Sequence, residues 1–160
     1  MSSRRMMSAA ALAVAVVAAA TTPVFADFSK SVTGSFKGQV IITKDELPTG
    51  KNDKDTVAKI KKAQLKEITG SPNADDVQGW TFHYTAFLSK TGAKALKMEF
   101  MNGKRLAADK QLDGIDPKSA VLSGDISINE DDGLLKSRPY LIKLVNEKDV
   151  VVASTPMMMK

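Results

Sequence analysis

His83 is the one histidine of this 160-residue chain. Imidazole is the side chain whose ordinary pKa suits proton transfer near neutral pH, and it is a common metal ligand. As a general base, His83 needs a hydroxyl to activate and a carboxylate to orient its ring. Ser89, Ser123, Asp75 and Asp125 supply those residue types. No nucleophile-elbow sequence surrounds any serine. As a metal ligand, His83 would need further imidazoles or thiolates, and the chain has no second histidine and no cysteine. The plainer reading makes His83 a half-buried, hydrogen-bonded residue on the mixed face of a strand.

Three other groups of residues could do chemistry. Asn129, Asp131 and Asp132, with Asp125 nearby, offer oxygens of the kind calcium takes, and Gly133 closes the run. Calcium wants six to eight such ligands, and the EF-hand spacing with its closing glutamate is missing. A solvated turn between strands uses the same residues. Lys59, Lys61, Lys62 and Lys66 form the densest basic cluster, suited to an anionic surface. Glu67, Asp53 and Asp55 dilute it, and no arginine or aromatic interleaves for base stacking, so it reads as a solvated face. Met157, Met158 and Met159 could bind a soft metal such as reduced copper. Adjacent strand residues point to opposite faces, so the expectation is that Met157 and Met159 pack into the core. No phosphate-binding glycine loop is present, and nothing implies an organic cofactor.

The element that must carry His83 is Trp80 to Leu88, WTFHYTAFL. Trp80, Phe82, Tyr84, Ala86 and Leu88 fall on one face at period two, and Thr81, His83, Thr85 and Phe87 on the other. Aromatic and β-branched residues dominate, as in a central strand. Alternation at Phe36, Gly38, Val40 and Ile42 predicts a first strand within Phe28 to Thr43.

Val57, Ile60, Leu65 and Ile68 form a stripe at helical spacing, with Asp55 or Thr56 to cap the start and Gly70 to close the end. The competing reading makes Ala63, Leu65 and Glu67 part of a strand beside Trp80–Leu88; the helix is favoured. Ala95 to Met101 and Lys104 to Leu112 read as a hairpin through Asn102-Gly103, with Leu106 and Ala108 facing the core. Ala120 to Ile128 is a further strand. Tyr140 to Val145 and Val150 to Met158 are a closing pair. Pro139 and Pro156 lack a backbone donor and suit strand ends or edges.

Residues 1–26 read as an export signal. Arg4 and Arg5 form a positive start, Ala9 to Ala20 an apolar run, and Val24-Phe25-Ala26 a cleavage site before Asp27. The run is shorter than the roughly 20 strongly apolar residues of a membrane span. Ser3-Arg4-Arg5 followed by Met7 also resembles a twin-arginine export signal, though that consensus prefers phenylalanine at Met7. Losing Arg4 and Arg5 lowers the formal charge from +5 to +3. So modest a balance argues against a dedicated nucleic-acid binder. The absence of cysteine excludes disulfides, so the core must supply the stability. At this length a domain buries roughly two thirds of its unfolded surface.

The expectation is therefore a mainly β chain: residues 1–26 as a cleaved signal, then 27–160 as a single antiparallel β-sandwich of immunoglobulin-like type. It would have six or seven strands and one short helix near 56–69. A half-open barrel is the second architecture. The expected role is a non-catalytic binding or structural module, exported to the periplasm or the medium, with a protein or glycan of the cell envelope as partner. A small hydrolase using His83 and a calcium-dependent surface-binding protein using Asp125, Asn129, Asp131 and Asp132 are the alternatives.

Overall fold

Nine strands join in one hydrogen-bonded sheet that curls into a half-barrel with two helices. The computed structural model describes residues 27–160; the expected export signal over 1–26 lies outside the described residues. The elements run α1 (Lys30–Ser35), β1 (Gln39–Thr43), α2 (Asp53–Ala63), β2 (Glu67–Ile68), β3 (Ser71–Pro72), β4 (Gln78–Phe87), β5 (Leu96–Asn102) and β6 (Arg105–Leu112). Then come β7 (Val121–Asn129), a 3-10 turn (Glu130–Asp132), β8 (Arg138–Asn146) and β9 (Val151–Met159).

The mainly β expectation holds, but the immunoglobulin-like sandwich is not what the pairing draws. The long strands form one path, β7-β4-β1-β9-β8-β5-β6, with β3 on β4 and β2 on β9. The join is narrow. β1 meets β9 in parallel through one pair, Gln39 with Ser154, and β2 meets the far end of β9 through Glu67–Met158 and Ile68–Met159. Every other pairing is antiparallel. Strand count and turn spacing cannot tell two sheets from one, because a single pair decides it.

β4 anchors the sheet as its sequence predicts. It pairs with β1 over Gln39–Thr43 and with β7 from Gly79 to Phe87. Trp80, Phe82, Tyr84 and Ala86 face the inside and are almost fully buried. They pack with Leu96, Met98 and Phe100 of β5 and with Ile142 and Leu144 of β8. The Phe82 and Phe100 rings meet edge-on at 6.5 Å, so the curl brings β4 over β5. Met157 and Met159 join this core, as expected of a terminal strand.

A second, smaller core lies on the outer face. Val32 and Phe36 from α1 and Ile60 from α2 cover Ile41, Phe87 and Val121. The predicted first strand holds over Gln39–Thr43, and the residues before it within Phe28 to Thr43 form α1 and its C-cap Phe36. Ser29 caps the start of α1 by accepting from the Val32 N–H, and pairing starts only at Gln39. The favoured helix holds for the first part of the ambiguous stretch, and of the competing strand only Glu67 lies in one. α2 begins at the Asn52 cap, ahead of the predicted cap residues, and ends at Ala63, and Glu67–Ile68 then form β2. That short strand pairs with β9, not with β4. Gly70 closes no helix. Its N–H donates to the Lys160 main-chain oxygen at 2.7 Å, and the Trp80 Nε1–H donates to the same oxygen at 2.9 Å.

Two proline and bulge details shape the surface. Pro156 stands inside β9, a central strand. The N–H groups of Ser154 and Met158 point to Gly38 and Lys66, so Pro156 faces the gap between β1 and β2, where no donor is required. In β6, Ala108 pairs with Phe100, but the next pair is Leu106 with Met101. Ala107 is the extra residue of a bulge. It turns Leu106 to the outer face, where it is 45% exposed instead of buried as strict alternation predicts.

Candidate functional site

The outer face of β1, β4 and β7 holds the residues with catalytic types. Register sets Thr43, His83 and Asp125 in one cross-strand row. His83 is buried, and its Nδ1 lies 2.9 Å from Asp125 Oδ1. The structure thus brings together one predicted pair, imidazole and orienting carboxylate. The Asp125 side chain is 62% exposed, unlike an orienting carboxylate sealed from water. Ser123 stands on the same face two residues before Asp125, opposite Thr85, and is buried. Ser89 and Asp75 lie beyond the two ends of β4, away from His83 at its middle. The Ser89 N–H donates to Val152, and the Asp75 N–H to the Asn73 side chain.

On the inner face, Tyr84 opposes Gly124 and its ring lies against the glycine. Burial pushes its phenol well above the usual value of 10.0, and the charge of Asp125 adds to the rise.

The acidic run forms its own closed motif. Asn129 Oδ1 accepts from the Asp132 N–H at 3.1 Å, and Asp132 Oδ2 accepts from the Asn129 N–H at 3.0 Å. This is a capping box on the 3-10 turn. Asp132 Oδ1 also accepts from Lys110 Nζ at 3.1 Å. Gly133 ends the turn at φ 112°, and a Cβ there would lie 2.2 Å from the Ala107 carbonyl oxygen. Asp125 is engaged elsewhere, with His83, and Asp131 is exposed. Among the described residues, no three His, Cys, Asp or Glu side chains gather in a way that could hold a metal ion.

The lysine cluster spreads over two elements. Lys59 pairs with Asp55 one turn earlier at 3.3 Å, Lys61 and Lys62 complement the C-terminal end of α2, and Lys66 precedes β2. Met158 alone of the three terminal methionines reaches the outer side, half-buried.

Sequence reading missed two surfaces. The first is the helix-free half of the outer face. Register places Leu106, Met101, Leu141 and Pro156 in one row across β6, β5, β8 and β9. Leu106 is 45% and Leu141 38% exposed. Lys104 and Arg105 of the β5–β6 hairpin, and Lys136 and Arg138 before and within β8, are exposed at the same end of the sheet. The row continues into a cleft of about 560 Å³, lined by Leu65, Pro139, Pro156 and Met158 among others, where β1 parts from β9. The second is a cleft of about 740 Å³ between α1 and the chain just after β4. The signal for the first was the bulge, which no residue type announces. The second draws its lining from separated segments.

No protein-family model, no curated protein and no solved structure matches this chain.

Proposed function

We propose that this chain is an exported, non-catalytic binding module that works through the helix-free half of its outer sheet face. One observation carries the reading: the row Leu106–Met101–Leu141–Pro156 is apolar and open to solvent, while the other half of the same face is covered by α1 and α2. Exposed contiguous apolar surface marks contact sites. Four cations at one end of it select the partner. Among the described residues, Lys104, Arg105, Lys136 and Arg138 have no carboxylate at ion-pair distance. The partner is a protein of the envelope or medium with an apolar face flanked by acidic residues. Export follows from the features of residues 1–26.

The test captures proteins from envelope and culture-medium fractions on three immobilised chains: wild type, Leu106→Glu/Leu141→Glu and His83→Ala. The reading expects one stoichiometric partner, held by wild type and His83→Ala and lost by the double variant, with all three folded by circular dichroism at the capture temperature. A blank on wild type, or a partner retained by the double variant, overturns it.

The 2.9 Å contact of His83 with Asp125 favours a second reading, hydrolysis with His83 as base and Asp125 holding its ring. Ester or peptide hydrolysis by wild type that His83→Ala abolishes without loss of fold would put this reading first.

A further inference from the structure

We propose that the cleft between α1 and the chain after β4 binds a small amphiphilic carboxylate, an acyl chain ending in a carboxylate. This surface is separate from the sheet row, and the inference stands apart from that reading. Phe28, Leu88 and Ala120 give the cleft an apolar lining, and Lys30, Lys37 and Lys90 stand around it. Its volume of about 740 Å³ is that of a small-molecule site.

The charge pattern names the ligand. No acidic residue lines the cleft. Among the described residues, none of the three lysines has a carboxylate at ion-pair distance. Three lysines around one concavity with no acidic residue in its lining are a local excess of positive charge. No arginine lines it, so no forked donor is present and the lysines meet a carboxylate head group as point charges. The apolar wall calls for a hydrocarbon body beneath that head group. Burial of each methylene then adds to the affinity.

The neighbouring structure keeps the cleft open. Phe28 and Phe36 both pack on the Phe87 ring, at 5.6 and 5.2 Å, which pins α1 to the sheet on one side. On the other side the Leu88 N–H donates to Ala120 and the Ser89 N–H to Val152. The lysines themselves are exposed, so the fold does not depend on them.

Isothermal titration of the exported protein with dodecanoate tests the inference. Dodecanol, inorganic phosphate, and vesicles of phosphatidylcholine with phosphatidylglycerol are the comparisons, and Lys30→Gln/Lys37→Gln/Lys90→Gln is the variant. The expected result is one dodecanoate per chain, weakened about tenfold or more by the triple variant and by added salt. Dodecanol should bind about tenfold more weakly than dodecanoate, and phosphate should give no heat. Equal affinity for dodecanol, undiminished binding by the triple variant, or no dodecanoate heat overturns the inference. Vesicle binding that needs the three lysines, with no binding of free dodecanoate, overturns it in favour of a bilayer surface. Unchanged circular dichroism and melting of the triple variant keep a loss of binding from being a loss of fold.

Discussion

At the scale of single residues, β4 carries two neighbours with opposite surroundings. His83 faces outward to an exposed carboxylate, and Tyr84 faces inward against Gly124. The buried phenol resists ionisation, whereas in the unfolded chain it titrates near 10.0. Above that pH the unfolded state loses a proton that the folded state keeps, so stability falls as pH rises. Urea unfolding of wild type between about pH 9 and 11, either side of the ordinary phenol value, should show this decline. Tyr84→Phe should show a smaller one; an identical decline would mean that another group is responsible. The alternation of WTFHYTAFL announced both orientations. The partnership of His83 with Asp125 was legible only as residue types, because sequence does not tell which strand lies beside which.

Elements were legible where period and length agreed. The strands β4, β5 and β7 to β9 follow their alternation closely, since each has one face in a core. Misreadings arise where one residue changes the frame. Phe36 fits a strand pattern, but it is the C-cap of α1 and packs on Phe87 beside Val32. The run from Val57 to Ile68 holds two elements, and the change of period falls at Gln64, the C-cap of α2. Leu106 keeps its alternation with Ala108 in sequence and loses it in space to the Ala107 bulge. The acidic run belongs to this scale too. Its capping box satisfies main-chain donors with Asn129 and Asp132. Asn129→Ala should cost about 1 kcal/mol in denaturant unfolding. The wild-type melting temperature should be the same in millimolar calcium as in chelator. A calcium-induced rise that Asn129→Ala removes would instead make the turn a metal site.

At the scale of the molecule, the candidate surfaces were the least legible part. The exposed row takes one residue from each of four strands, and the lysine cleft draws on segments near Phe28, Leu88 and Ala120. Only tertiary placement assembles either. The expectation of two sheets failed by one parallel pair, and that pair has a consequence for how the chain reaches its final form. The hairpins β5–β6 and β8–β9 join near neighbours in sequence, whereas Gln39 must find Ser154 across most of the described chain. Loop-closure entropy makes such a contact late. The join between the two halves of the sheet therefore forms last and opens first. In native-state hydrogen exchange the amide of Ser154, which donates to Gly38 at 3.1 Å, should exchange faster than those of Ile142 and Leu144. Equal protection at all three would mean that the closure forms together with the rest.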